Sequence, residues 1–219
     1  MFLLGIFSVL LLLQPKLGTP IVLAAIAMIM LFIAGAKAGS LATWTAVGVC
    51  LSGFFAMSEG YRRARIFAFL DPWQYPTTIG LQTIQSQVGI ASGGLLGVGL
   101  GASRAKWGFL PEAQSDFIFA IVAEEVGLVG AAALIGGFVL LGVFGVKTAL
   151  HAPDRFGMLL ATGLTTWLIL QAFLNIGMTL GRLPITGEPL PFVSAGGSSL
   201  IMSLFAAGLL ANVARRAQL

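Results

Sequence analysis

The stretch GRLPITGEPLPFVSAGGSS, residues 181–199, lies between two long apolar runs and decides the fold. Its three prolines and its glycines would break a membrane helix, and a soluble loop would not need them so close together. Irregular backbone at membrane depth is tolerated only where it is buried in protein or lines a wet cavity. We therefore expect a non-helical loop at or near membrane depth, where membrane proteins often carry their function.

The composition of the whole chain indicates a membrane protein. Of its 219 residues, 58% are hydrophobic and 9% are charged, whereas roughly a quarter of the residues in soluble domains are charged. The mean hydropathy is +0.98. One cysteine, Cys50, cannot form a disulfide framework, and one histidine, His151, cannot build a metal site. The predicted fold class is an all-α polytopic membrane protein, with residues 1–219 forming a single membrane domain.

Six apolar runs approach or reach the length of about 20 residues that a bilayer requires. The first run lacks the basic start and small-residue cleavage site of a signal peptide. We therefore expect residue 1 to lie inside a membrane span. The chain would then be truncated at its N-terminus or be a natural half-length protein. The predicted transmembrane helices are residues 1–13, 19–36, 40–59, 117–146, 157–180 and 195–213.

Alternation of these spans predicts the topology. Lys37, the polar loop 147–155 and the C-terminal arginines fall on one side, which the positive-inside rule makes cytoplasmic. Residues 60–116 then form a large extracytoplasmic loop. Its basic residues count against this topology unless a loop of this length is exempt from the rule or the charges bind an anionic ligand, and both explanations stay open. These residues are Arg62, Arg63, Arg65, Arg104 and Lys106.

The same loop contains the glycine-dense run SGGLLGVGLGAS, residues 92–103. It is not a dinucleotide-binding fingerprint, because the flanking strand, helix and acidic residue are missing. Two interpretations stay open: the glycines pack a bent loop against helices, or their backbone amides hold a phosphate. Amphipathic parts of residues 60–116 are expected to lie on the membrane or dip into it.

Four carboxylates surround the start of the fourth predicted span. Glu124 and Glu125 lie about 12–13 Å beyond Asp116 along a helix, and Glu112 shares a helix face with Asp116 at i, i+4. Carboxylates this deep in a membrane cost several kcal/mol unless they are paired or wet. Three interpretations stay open. The carboxylates pair with basic residues of the loop to fix the fold, or they line a polar cavity for substrate or a cation, or they relay protons in a transporter.

Small residues precede the last predicted span. Ser194, Ser198 and Ser199 are expected to cap its helix, and with no histidine nearby a serine nucleophile is not expected. Gly196 and Gly197 are expected to matter because their small size would let the loop approach a cavity closely.

Three stretches resemble motifs of the SEDS family (shape, elongation, division and sporulation), which includes FtsW, RodA and SpoVE. They are QPKLGTPIVLAAIAMIMLFIAGAK at 14–37, FLPEAQSDFIFAIVAEEVGLVGA at 109–131 and LPITGEPLPFVSAGGSS at 183–199. The resemblance covers the whole chain in order and is nearest the FtsW branch. It implies the last six spans of a ten-span fold, the first four being absent.

The resemblance implies a peptidoglycan glycosyltransferase of the bacterial cytoplasmic membrane that polymerises lipid II during cell division or cell shape maintenance. Lipid II, an undecaprenyl-pyrophosphate-linked disaccharide, would be the substrate, with its polyprenyl tail in greasy clefts between spans. A class B penicillin-binding protein and membrane lipids would be the partners, and no nucleic acid is expected. The sequence offers no metal site, although a divalent cation (Mg or Mn) beside the diphosphate is chemically reasonable.

The sequence departs from the family at the catalytic position. Relatives carry an essential aspartate where FLDPWQYPTTIGLQTIQS, residues 69–86, has Tyr75. Tyrosine is a poor general base at neutral pH, so either Asp71, four residues earlier, substitutes for it or the chain does not catalyse. The candidate catalytic residues are Asp71 and Tyr75. The candidate substrate-binding residues are Arg62, Arg63, Arg65, Gln82, Gln85, Ser86, Arg104, Lys106, Glu112, Asp116, Glu124, Glu125, Ser194, Gly196, Gly197 and Ser198.

The alternative function is that of a non-catalytic membrane protein. It would be a transporter (flippase) of the lipid-linked precursor, or a scaffold for the penicillin-binding protein. Carboxylates inside the membrane and broken segments at 184–197 are compatible with transport. Activity, translocation and partner binding would distinguish these alternatives.

Overall fold

The computed structural model describes residues 18–58, 60, 67–78, 80–105 and 113–217. These residues form helices, turns and irregular segments, and no strand occurs among them. The predicted all-α class is thereby confirmed. The helices are α1 (Gly18–Ile33), α2 (Ala38–Ser58), α3 (Leu81–Gly93), α4 (Ile118–His151), α5 (Arg155–Thr179) and α6 (Gly197–Arg216), with a short 3-10 helix at Pro72–Gln74.

Three helices of the described part are long and apolar enough to cross a membrane: α4, α5 and α6. Helix α1 and the first part of α2, Ala38–Cys50, are shorter apolar helices. The observed helices begin and end close to the predicted spans, because continuous apolar stretches of this length favour helices that satisfy their own backbone in lipid. The predicted span at 1–13 lies outside the described residues.

The polar ends of three elements meet, as the predicted topology requires. The Arg155 guanidinium donates to the carbonyl of Ala34, just after α1, at 2.5 Å. Val213, near the end of α6, packs in one cluster with Ala149 and Ala161. The turn after α1, the α4–α5 connection and the end of α6 therefore lie at one end of the helices. The loop 181–196, which follows α5, lies at the opposite end.

The polar loop predicted at 147–155 is shorter in the structure. Helix α4 continues to His151, and α5 begins at once after Asp154. The Asp154 carboxylate accepts a hydrogen bond from the amide of Gly157 at 2.9 Å, a standard N-cap interaction. The cap explains why so few residues suffice to reverse the chain.

The predicted span 117–146 is not one continuous helix. Helix α4 is interrupted at Gly127, whose φ of 72° and ψ of −167° are non-helical. The segment before the break carries Glu124 and Glu125. The segment after it, residues 128–151, is about 36 Å long at 1.5 Å per residue and can cross a bilayer by itself.

The glycine-dense loop, residues 94–101, forms hydrogen bonds to both sides of this break. The amides of Val98 and Gly99 donate to the carbonyls of Glu124 and Glu125 at 2.9 and 3.1 Å. The loop's own carbonyls accept from the amides on the far side of Gly127. A Cβ on Gly127 would overlap the loop backbone, so glycine is required on steric grounds as well. These contacts support the interpretation that the glycine run packs against helices. The amides of Val98 and Gly99 already donate to α4 carbonyls and are not free to hold a phosphate.

Candidate functional site

Two of the three motif-bearing stretches, 109–131 and 183–199, meet at the end of the helices that holds the 181–196 loop. The Ser194 hydroxyl donates to the carbonyl of Ser115 at 2.6 Å and accepts from the amide of Leu190 at 2.7 Å. The amide of Ala195 donates to the carbonyl of Gln114 at 2.9 Å. Buried Ser194 thus fastens the 181–196 loop to the residues before α4.

Asn175, on α5, lies between these two segments. Its side-chain Nδ2 donates to the carbonyl of Asp116 at 2.8 Å and to the carbonyl of Glu188 at 2.7 Å. The residue is 0% exposed. Because both carbonyls belong to irregular backbone, the amide supplies donors that a helix would otherwise provide. Asn175 was not predicted; the signal that could have found it is an amide placed late in an apolar span.

Glu188 is a second residue that the sequence interpretation missed. It is 7% exposed, and its Oε1 accepts from the hydroxyl of Thr19 at 2.8 Å. Its Oε2 lies 3.5 Å from Nε2 of Gln171 on α5. This carboxylate links the start of α1 to the 181–196 loop and to α5. A carboxylate inside a proline-rich stretch between apolar spans was the available signal.

Asp116 lies in a turn before α4, not on the helix as predicted. The helix begins at Ile118 with Phe117 at its N-cap. Asp116 is therefore not helical, and the prediction that it shares a helix face with Glu112 is wrong. A Cβ placed on Gly187 would come within 3.4 Å of Oδ2 of Asp116. The Asp116 carboxyl therefore lies against the same loop that carries Glu188.

The loop 181–196 itself is irregular and largely buried, as predicted. Leu190 is 0% exposed, Thr186 is 8% exposed and Pro191 is among the fully buried side chains. Phe192 has a φ of 66°, an uncommon conformation for a bulky residue that surrounding packing must hold. The middle of the loop is thus buried in protein, whereas Arg182, Pro184 and Ala195 are exposed.

Glu124 and Glu125 bind the last residue of the glycine-dense run and the two residues after it. Glu124, 3% exposed, accepts from the hydroxyl of Ser103 at 2.5 Å and from the amides of Arg104 and Ala105 at 3.0 and 3.4 Å. Glu125 accepts from the amide of Ser103 at 3.4 Å. Of the three interpretations, these contacts favour fixing the fold, here through backbone amides and a hydroxyl. Most of the basic side chains that were expected to pair with these carboxylates lie outside the described residues.

The candidate catalytic residues Asp71 and Tyr75 flank one 3-10 turn, Asp71 at its N-cap and Tyr75 at its C-cap. Asp71 is partly exposed and its Oδ2 accepts from Nε2 of Gln74 at 2.9 Å. Tyr75 is 38% exposed. A Cβ on Gly80 would overlap the carbonyls of Pro72 and Tyr75, so glycine lets the following backbone close this turn. The turn presents both candidates from one short, tight segment.

Helix α3 carries three candidate substrate-binding residues. Ser86 is 0% exposed, and its hydroxyl lies 2.9 Å from the carbonyl of Thr179 and 3.0 Å from that of Thr83. Ser86 therefore joins α3 to the end of α5. Gln82 and Gln85 are partly exposed, so they remain accessible to a ligand.

The start of α6 differs from what was expected. Gly196 is the N-cap and no side chain caps the helix, so the prediction that Ser194, Ser198 or Ser199 caps it is wrong; the Ser194 hydroxyl is used by the loop contacts. A Cβ on Gly197 would meet nothing within 4 Å. The space beside Gly197 is therefore open, and its predicted approach to a cavity stays a prediction. Ser198 is exposed beside it.

The basic candidates are described only in part. Arg104 is exposed, while its backbone amide is held by Glu124. The other basic candidates and one acidic candidate lie outside the described residues. They are Arg62, Arg63, Arg65, Lys106 and Glu112.

An apolar groove of about 800 Å³ runs between α4 and α5. Its floor is aliphatic and aromatic, with Phe138 and Phe173 among the lining side chains. Lys147 lies near one end, and Arg182 lies at the other, just beyond α5. The groove therefore follows these helices across the apolar layer and fits an elongated apolar partner.

Fold and site together define an all-helical integral membrane protein whose polar centre is built from two irregular segments at one end of the spans. The whole chain, residues 1–219, matches the family model FtsW/RodA/SpoVE, described as cell cycle protein. The chain belongs to this family, which confirms the resemblance given by its motifs.

Individual relatives give the same result. The chain is 44% identical over 216 residues to the "Probable peptidoglycan glycosyltransferase FtsW" of Geobacter metallireducens, covering 99% of this chain and 58% of that protein. It is 44% identical over 204 residues to "Stage V sporulation protein E" of Bacillus subtilis, covering 92% and 55%. The chain thus spans a little over half the length of these relatives.

Two solved structures share the fold. One, described as "Structural coordination of polymerization and crosslinking by a peptidoglycan synthase complex", has a TM-score of 0.76 and 31% identity, covering 96% of this chain and 59% of that chain. The other is a mutant of the rod shape determining protein RodA of Thermus thermophilus, with a TM-score of 0.60 and 29% identity over 95% of this chain and 53% of that chain.

Proposed function

We propose that this chain works as part of a peptidoglycan glycosyltransferase of the bacterial cytoplasmic membrane, which polymerises lipid II during cell division or cell shape maintenance. One observation carries the proposal: Asn175 joins motif stretches 109–131 and 183–199, and so holds Asp116 beside the loop that carries Glu188 at the end of the spans. The relative named a probable peptidoglycan glycosyltransferase supports the reaction class.

The reaction requires a base and a charged leaving group. The 4-hydroxyl oxygen of the acceptor's GlcNAc attacks the anomeric carbon of the donor. That carbon loses its bond to phosphate oxygen, and undecaprenyl pyrophosphate leaves with the bonding electrons. A carboxylate takes the hydroxyl proton as general base, and a single displacement inverts the anomeric centre.

Asp71 is our candidate for this base. A phenol, with an ordinary pKa of about 10, is already protonated at neutral pH and cannot take a proton, whereas a carboxylate is ordinarily ionised there and can. Asp71 and Tyr75 flank the same 3-10 turn, so a carboxylate is available in the segment where relatives carry theirs. The bond from Gln74 orients the Asp71 carboxylate.

The diphosphate needs cationic contacts that stabilise the leaving group. Arg104 is suited to this because its side chain is exposed while its backbone is fixed by Glu124. Among the described residues, no group of three or more His, Cys, Asp or Glu side chains is placed to hold a metal ion. Binding of a divalent cation beside the diphosphate stays a prediction. Further proposed substrate contacts are Arg62, Arg63, Arg65, Lys106, Gln82, Gln85 and Ser198.

The α4–α5 groove favours a second role, as a docking scaffold for a class B penicillin-binding protein. The groove extends from Lys147 to Arg182. A transmembrane helix of the partner would fill this whole length, whereas a lipid tail would occupy only one end of it. The structural neighbour described as a peptidoglycan synthase complex supports such an assembly. Val139→Trp should weaken co-purification of the partner, because Val139 lines the groove and is 58% exposed.

Leu140→Trp is the matched control for this docking role. Leu140 is 57% exposed on the same helix and is not among the groove residues. Equal co-purification of both variants with the partner would contradict docking in the groove, whatever the outcome for polymerisation.

Polymerisation of purified lipid II tests the catalytic proposal. The wild-type chain should form glycan strands, and Asp71→Asn should not. A transporter would move lipid II across vesicles without forming polymer, and a scaffold would do neither while still binding its partner. Each alternative therefore has its own readout.

A further inference from the structure

The glycine-dense loop, residues 94–101, presents an apolar surface that no part of the described chain covers. Leu95, Leu96 and Leu100 are 69%, 82% and 84% exposed, and Val98 is 47% exposed. Leucines this exposed beside one another are unusual on a surface that meets water. They require an apolar surrounding.

Entry of a loop into lipid is normally prevented by its backbone, because unpaired amides and carbonyls cannot find water there. This loop has already paired much of its backbone within the protein. Val98 and Gly99 donate to the carbonyls that the break in α4 leaves free. In return, the amides of Leu128 and Val129 donate to the carbonyls of Gly94 and Leu95 at 2.9 and 3.3 Å.

The position of the loop along α4 gives its depth. Lys147, near the far end of α4, lies 20 residues after Gly127, or about 30 Å at 1.5 Å per residue. This distance equals the thickness of a typical hydrocarbon core. Leu128 and Val129, each 60% exposed, continue the apolar surface of the loop toward the membrane interior.

We infer that the loop 94–101 is inserted in the lipid bilayer, with Leu95, Leu96 and Leu100 in the acyl-chain region of the leaflet farthest from Lys147. The occupant of this surface is lipid, because its side chains are apolar, part of its backbone is paired with α4 and it lies at the boundary of the hydrocarbon core. Insertion also fixes exposed Arg104, four residues after Leu100, near the level of the headgroup phosphates. The inference stands independently of the catalytic proposal.

Depth-dependent quenching tests the insertion. Cys50 is the single cysteine, so a Cys50→Ala background allows one fluorescent label at a time on Leu96→Cys or Leu100→Cys. The chain is reconstituted in nanodiscs with and without phospholipids brominated on their acyl chains. Leu140→Cys, exposed in the middle of α4, is the lipid control, and His151→Cys, at the polar end of α4, is the aqueous control.

Insertion predicts that the labels at 96 and 100 are quenched as strongly as the label at 140 and at least about twofold more than the label at 151. Quenching equal to that at 151 would overturn the inference. Weak quenching together with oxidative cross-linking of Leu96→Cys between copies would also overturn it, because another copy would then cover the loop. Two labelled positions and a check of helical content keep the result interpretable if one variant misfolds.

Discussion

The side-chain amide of Asn175 donates to the backbone carbonyl of Glu188 at 2.7 Å, although the two residues belong to a membrane helix and to the irregular loop after it. The same nitrogen donates to the carbonyl of Asp116 at 2.8 Å. One buried amide thus holds together two of the three stretches that carry the family motifs, 109–131 and 183–199. Stability and proposed activity should both depend on it.

Asn175→Ala should lower the free energy of unfolding by about 1 to 3 kcal/mol for each carbonyl left without a donor. The carbonyls of Asp116 and Glu188 are the groups affected. Thermal unfolding in detergent measures the loss. Asn212→Ala, an exposed asparagine on α6, is the control and should unfold like the wild type. An unchanged midpoint for Asn175→Ala would contradict the joining role.

Ser103 and Glu124 should be energetically coupled. The Ser103 hydroxyl donates to a buried carboxylate at 2.5 Å, and hydrogen bonds to charged groups contribute about 1.5 to 3 kcal/mol. A double-mutant cycle of Ser103→Ala and Glu124→Gln measures the coupling, which we expect to exceed about 1 kcal/mol. Ser92, whose hydroxyl bonds locally to Gly89, replaces Ser103 in the control cycle. Additive effects for Ser103 and Glu124 would show that the carboxylate does not fix this segment.

Two glycines of α4 should respond oppositely to alanine. Gly127→Ala places a side chain at positive φ and against the backbone of the glycine loop, so it should destabilise by more than about 1 kcal/mol. Gly136→Ala adds a Cβ where nothing lies within 4 Å and should stabilise by about 0.5 to 1 kcal/mol. Chemical denaturation in mixed micelles compares them. Equal responses would mean that the break in α4 is not required.

Gly197→Leu should separate folding from activity. A Cβ at Gly197 meets open space, so the unfolding midpoint should stay within the range of a surface change, about 0.5 kcal/mol. Polymerisation of lipid II should fall, because the added side chain occupies space at the start of α6 that the proposal gives to substrate. Full polymerisation by a folded Gly197→Leu protein would exclude this space from the site.

The helices could be predicted from the sequence because a span requires only a local property, a long apolar run. The break in α4 could not, since a single glycine in EEVGLVG is compatible with a helix. The break depends on hydrogen bonds from Val98 and Gly99, which lie 26 residues earlier in the chain than Glu124 and Glu125.

The site could be predicted only in outline. The 181–199 stretch was recognised by its prolines and glycines, but the importance of Glu188 depends on Thr19, which is 169 residues away. The role of Ser194 depends on Ser115, 79 residues away. Such contacts follow from the assembly of α1, α5 and the loop, not from any local pattern. For Gly197, a Cβ meets no protein atom within 4 Å, so its predicted approach to a cavity stays a prediction.

The most direct test of the account is polymerisation of purified lipid II by the wild-type chain, Asp71→Asn, Tyr75→Asp and Thr77→Ala. Thr77 is exposed in the turn beside Tyr75 and serves as the control. We expect glycan strands from the wild type and Thr77→Ala, and a polymerisation rate at least about a hundredfold lower in Asp71→Asn, as for removal of a general base. Tyr75→Asp should retain or raise the rate. Strands formed equally by Asp71→Asn, or no strands from any of the four proteins, would contradict catalysis by Asp71 in this chain.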